Sequence, residues 1–320
     1  MSTLITGVSG FVGLNLLELL LARGERVVGL SALAVASGVR ERLRRLPGEF
    51  VEVVGDIRDV ALLARLMPEQ GIDRVLHLAA ITADVSRERQ AAAEILSVNL
   101  SGLANVFSAA ATHKVRRFVY ASSIAVFGGE TRDGSLIDED ALHAPRTLYA
   151  ITKSAGEAVV ARLGAVHGID WIIGRLGRVF GPYEYDTGVR DTLSQIYQVT
   201  QAALAGRPVS LPRPCVKNWN YARDAASNLQ TLLQAPAPHH RVYNLGSPHA
   251  WPLSDWCERL RQRRPEFRFT VGTGRGEPID VGGSSDGGLL SWQRFSAEFG
   301  TTALFDLNAA FADYWEFLES

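Results

Sequence analysis

"TLITGVSGFVG", residues 3–13, sets a short apolar run directly before three glycines spaced three apart, Gly7, Gly10 and Gly13. The run reads as a first strand and the stretch near 11–23 as a helix, which places the glycines in the turn between them. Each glycine then has a use. Gly7 permits the tight turn, Gly10 lets backbone N–H groups approach a pyrophosphate, and Gly13 lets the helix pack closely on the strand. Phe11 and Val12 open that helix, where unpaired N–H groups and the dipole favour negative charge. A glycine triplet by itself also suits a plain turn; its place at the head of an alternating chain is what points to a dinucleotide.

The alternation runs outward from there. "RVVGL" (26–30), "FVEVVG" (50–55), "DRVLHLAA" (73–80), "RRFVYASS" (116–123) and "DWIIGRL" (170–176) are separated by helical patterns. These include a long helix ending near Ala111 and another from Leu148 to Val166. Short β-branched runs between helices predict a parallel sheet covered on both faces, and right-handed crossovers make it doubly wound. After residue 176 glycine, proline and tryptophan crowd the chain and the regularity weakens. The expected division is a dinucleotide-binding domain over 1–176 and a smaller α/β lobe over 177–320 for the substrate. Residues 209–246 are able to return to the main sheet through "VSL" and "VYNLG".

Composition sets limits. Of 320 residues, 47% are hydrophobic and 21% charged, a globular balance, and the net charge of −1 offers no global attraction to nucleic acid or anionic membrane. "GVRERLRRLPG" reads as a solvated basic helix face. Cys215 and Cys257 suggest neither a disulfide framework nor metal-ligand spacing, so no metal is expected. No basic leader precedes the glycine turn, and "LNLLELLLARG" is too short to span a bilayer. The expectation is a soluble cytoplasmic protein.

The end of the second strand should meet the adenine ribose, where an acidic residue is common in NAD enzymes. "VVGLSALA" offers Ser31 instead, with no adjoining cation for a 2′-phosphate. NAD is favoured on that ground, and NADP stays open. Chemistry is suggested by "LYAITKSAGE", residues 148–157. The chain has only three lysines among thirty-three Lys and Arg residues, yet Lys153 stands one helical turn beyond Tyr149. A compact ammonium there favours the phenolate and can also reach ribose hydroxyls, which a planar guanidinium does poorly. Ser123, at the end of the fifth strand, is placed to hydrogen-bond the substrate oxygen whose proton Tyr149 would move.

With these residues together, the chain resembles the extended short-chain dehydrogenase/reductases, in particular the NAD-dependent epimerase/dehydratase family. "GDIRD", "HLAA", "VNLSG", "YASSIAVFG", "YAITKSAGE", "GRVFGP", "WNYARDAA" and "VYNLGS" carry the likeness over nearly the whole chain. The resemblance implies a Rossmann-like domain with Asp56, Ile57, Leu78, Ala79, Ala80, Asn99 and Ser122 along the cofactor. It also implies a Tyr/Lys/Ser hydride-transfer site and dimerisation through two long helices.

Ile124 and Ala125 stand where the family's 4,6-dehydratases carry an Asp-Glu pair, which disfavours dehydration. A nucleoside-diphosphate-sugar 4-epimerase is the leading expectation, with Lys217 and Arg275 at matching family positions and Arg178 as a local candidate for the diphosphate. The alternative is a dehydrogenase or reductase of a small sugar, aldonate or hydroxy acid, with Arg178 and Arg190 holding a carboxylate. A non-catalytic dinucleotide sensor ranks third, since a sensor has no need of Tyr149, Lys153 and Ser123 together.

Overall fold

The computed structural model describes residues 2–128, 135–185, 188, 190–281, 286–300 and 305–320. Seven parallel strands form its main sheet: β1 (Ser2–Thr6), β2 (Arg26–Ser31), β3 (Glu49–Val54), β4 (Ile72–His77), β5 (Arg117–Ser123), β6 (Asp170–Leu176) and β7 (Val242–Leu245). Their spatial order is β7-β6-β5-β4-β1-β2-β3. The chain builds outward from β1 in one direction and then from β4 in the other. The β1/β4 junction is therefore the point where ligands of such sheets bind.

Alternation along the strands covers both faces. Ile5, Val27, Leu76, Val119 and Ile172 pack on one side with helix Phe11–Ala22 and helix Ala222–Gln234. Their neighbours Leu4, Val28, Val75, Phe118 and Ile173 face the other way, onto Leu63, Phe107 and Val160. Because side chains of a strand point alternately to opposite faces, each adjacent apolar pair serves two cores.

The expected long helix is present, continuous over Val85–Thr112 but irregular. It runs Val85–Leu96, passes through a wide turn at Ser97–Gly102 and continues as Leu103–Thr112. Ala91 leaves helical geometry at φ −136°, ψ 31°. By length and composition the run Val85–Thr112 could cross a membrane. Here Leu103, Val106, Phe107 and Ala110 are fully buried against the sheet, as in the core helix of a globular domain.

Of the two segments able to return to the sheet, one does. "VYNLG" supplies β7, pairing with β6 at Val242↔Ile173. "VSL" does not: Val209–Leu211 is the middle strand of a separate sheet with Phe269–Val271 and Glu277–Pro278. That sheet closes a second core in which Trp219, Trp251, Trp256, Phe180, Phe311 and Tyr314 meet. The tryptophans that blur the sequence pattern are the filling of this lobe. Cys215 and Cys257 are free thiols buried in it.

Candidate active site

Backbone packing forces two of the three glycines. Gly7 adopts φ +73°, and a Cβ on it would lie 2.8 Å from the Ala79 backbone; one on Gly13 would lie 2.5 Å from the Gly7 carbonyl. Gly10 differs. Among the described residues its Cβ would meet only the Gly7 oxygen, at 3.2 Å, and the residue lines a cavity of about 340 Å³. It caps helix Phe11–Ala22 with no side-chain hydrogen bond, so the first-turn N–H groups of the helix are uncapped. A side chain at Gly10 would fill space that a pyrophosphate can take, and the residues present fit a dinucleotide. Phe11, Val12, Leu78 and Ala80 line the same cavity.

Tyr149, Lys153 and Ser123 line the cavity together, as do Ser122, Arg178 and Arg190. Helix Leu148–His167 starts at Thr147, whose hydroxyl accepts from the Ala150 N–H, and this cap sets Tyr149 in the first turn. Ser123 and Thr82 hydrogen-bond the Tyr149 hydroxyl. Lys153 is buried, donates from Nζ to the Ala121 carbonyl at 2.7 Å, and lies over the Tyr120 ring at 4.9 Å. Burial pushes its pKa down to about 8, partly offset by Glu157.

The expectation that Lys153 acidifies the phenol needs correcting. Burial raises the Tyr149 pKa, and the groups that oppose this are Ser123, Arg190 and Thr82. The physical reason is that the buried phenolate loses its hydration, a cost that outweighs the neighbouring hydroxyls and Arg190.

Several expected residues are used inside the protein. Asn99 accepts from Ile81 N–H and donates to the Ile81 carbonyl and Thr152 Oγ1, so it ties the loop after β4 to helix Leu148–His167. Ser31 Oγ accepts from the Ser9 N–H and so shapes the glycine turn. Asp56 is paired with Arg58, which holds its carboxyl below the usual range, and Ile57 is buried against Gly102.

Two substrate residues are not brought to the cavity. Lys217 is buried and donates to the Val281 carbonyl, because its neighbours Trp219 and Cys215 draw the strand into the lobe core. Arg275 is exposed in a loop beside Val209, where Gly276 takes φ +151°.

The NAD dependent epimerase/dehydratase family matches residues 3–246. The chain belongs to this family. UDP-glucuronate 4-epimerase 3 of Arabidopsis thaliana is 30% identical over 79% of this chain; the match spans 62% of that protein, so the chain covers about three fifths of its length. dTDP-glucose 4,6-dehydratase of Xanthomonas campestris is 29% identical over 82% of this chain and 77% of its own. Among solved structures, the UDP-glucose 4-epimerase of Thermus thermophilus in complex with NAD superposes with a TM-score of 0.79 at 23% identity. That match covers 98% of this chain and 99% of the other. It shows a shared fold.

Three residues of this epimerase/dehydratase family chain that line the cavity, Tyr185, Thr82 and Trp219, and the buried Glu184 that pairs with Arg190, carry no signal in the sequence. Tyr185 donates from its hydroxyl to the Ser9 carbonyl over the glycine turn. Thr82 meets the phenol. Glu184 is buried, accepts from Ser194 N–H and Oγ and pairs with Arg190 at 3.1 Å, while the Arg190 guanidinium lies 5.2 Å from the Phe11 ring centre. Trp219 forms part of the far wall. "GPYEYDTGVRD" holds two of these positions, Glu184 and Tyr185, and Arg190, but as a loop it carries no period that could reveal which side chains turn inward.

Arg178 shows the clearest signal in the cavity. Its Nη1 is buried with no hydrogen-bond partner, and burial lowers its pKa. Asp286 acts on its charge, and a ligand anion would supply the partner that Nη1 lacks.

Proposed function

We propose that this chain is an NAD-dependent nucleoside-diphosphate-sugar 4-epimerase. The supporting observation is the convergence of Tyr149, Ser123 and Lys153 on one cavity that also contains the Gly7–Gly13 turn. The dinucleotide region would be residues 2–176 with β7, and the substrate lobe most of the remainder. NAD is favoured over NADP because Ser31 is already occupied by Ser9 and brings no cation.

Bound NAD supplies a hydride acceptor and donor at its nicotinamide. Tyr149 takes the proton of a substrate hydroxyl and later returns it to the ketone oxygen, while Ser123 and Thr82 hydrogen-bond that oxygen. Lys153 keeps a positive charge beside the phenol and the cofactor ribose. Arg178 meets an anionic group of the substrate. Ile124 and Ala125, which follow Ser123, carry no proton to move, so elimination of water is not expected.

The test incubates the protein with NAD and with UDP-glucuronate, UDP-glucose or dTDP-glucose, and follows the sugars by proton NMR. Interconversion of the C4 epimers with retention of deuterium placed at C4 is expected. Net reduction of added NAD in proportion to sugar consumed would instead establish a dehydrogenase. That second reading is favoured by one observation, that neither Lys217 nor Arg275 lines the cavity.

The assembly proposed is a homodimer through helices Val85–Leu96 and Leu148–His167, which pack on each other and leave Val85, Leu96, Ile151 and Val166 exposed. Sedimentation velocity, comparing the native protein with Ile151→Glu, tests it.

A further inference from the structure

Three successive residues at the end of β5 are each gripped by helix Leu148–His167. The Ala121 carbonyl accepts from Lys153 Nζ at 2.7 Å, the Ser122 hydroxyl donates to Glu157 Oε1 at 2.5 Å, and Ser123 hydrogen-bonds Tyr149. Positions 149, 153 and 157 lie one turn apart on one helix face, so a single face holds the strand end that forms the cavity wall. The grip of Glu157 on Ser122 has no place in the proton transfer described above.

Glu157 is buried and its carboxylate is well supported. Arg175, on β6, donates to it from Nε at 2.9 Å and Nη2 at 2.7 Å. Arg175 also donates from Nη1 to the Glu139 carbonyl and lies 2.8 Å from His143 Nε2. Lys153, in contrast, faces one carbonyl and two aromatic rings, Tyr120 and Tyr149. His77 on β4 also faces it, kept neutral by burial. Glu157 is the anion whose charge reaches Lys153. A buried ammonium without a nearby negative charge loses its proton.

We propose that Glu157 is a positioning residue: its carboxylate keeps Lys153 in the ammonium form and, through Ser122, fixes the strand end that sets Ser123 against Tyr149. This rests on the hydride-transfer reading of the site, but its test does not. With three lysines in the chain, protein labelled with 13C at lysine Cε gives three resolvable signals, and Lys153→Ala assigns one of them.

In Glu157→Gln the Lys153 transition should fall by about one pH unit, and the alkaline limb of kcat should move with it. The kcat itself should drop about tenfold with KM little changed. Glu157→Asp, which keeps the charge, should titrate as the native protein does. An unmoved Lys153 signal in Glu157→Gln, or an equal fall in Glu157→Asp, overturns the proposal. A native protein inactive on every sugar nucleotide would sink the epimerase reading while leaving the titration decisive for Glu157.

Discussion

The ammonium of Lys153 lies over the face of the Tyr149 ring, 5.8 Å from its centre, while its proton donor is turned to the Ala121 carbonyl. The phenol is thus held between a cation on its face and two hydroxyls, Ser123 and Thr82, at its oxygen. Tyr149→Phe removes the proton carrier and leaves the glycine turn intact. It should lower kcat by about 10²–10⁴-fold while NAD affinity stays within threefold, measured by turnover and by calorimetric titration.

Lys153 also has a signature in stability. Its pKa is depressed from 10.5 to about 8 on folding, so between those values the unfolded chain binds more protons and stability rises with pH. Below about 8 the full cost of burying the charge is present. Lys153→Met should therefore gain stability on the native protein at pH 7 by about 1–3 kcal/mol, with the gain shrinking toward pH 10.5. Urea unfolding at a series of pH values checks this.

His77 works at the acid end. Buried with its Nδ1 on Thr6 Oγ1 at 2.8 Å, it is pushed down to about 3 from 6.5 by burial, helped by Lys153. The unfolded chain takes up a proton near 6.5 that the folded protein refuses, so stability falls as pH drops from 6.5 toward 3. His77→Gln should flatten that fall, read as the pH midpoint of acid unfolding by circular dichroism.

The glycines should separate by kind. Gly10→Ala places a methyl at the cavity wall, 3.2 Å from the Gly7 carbonyl oxygen, and should weaken NAD binding at least about tenfold with little change in melting temperature. Gly7→Ala, at φ +73° against the Ala79 backbone, should lower the melting temperature as well. Thermal shift with and without NAD distinguishes the two.

The arginines should separate by place. Arg178→Met removes a buried charge whose Nη1 is unpartnered, so the protein should gain stability and lose substrate affinity, with KM raised about tenfold or more. Arg275→Ala, out on the surface, should change neither kcat nor KM by more than about twofold.

Local pattern was enough for the sheet and its turn. Strand and helix periods, and glycines that only a strand–turn–helix needs, are properties of neighbouring residues, so "TLITGVSGFVG" and "YAITKSAGE" could be read directly. What neighbours cannot carry is the direction in which a loop side chain points. Asn99 and Ser31 hydrogen-bond backbone groups 18 and 22 positions away. Lys217 is taken by Val281, and Arg190 is brought to the cavity by Glu184 and Thr82. The chain order therefore determined the architecture and the Tyr-Lys pair, because both repeat within a few residues. Which cations and hydroxyls face the cavity was decided by tertiary packing, since burial and partnership between distant segments settle where each charge can rest.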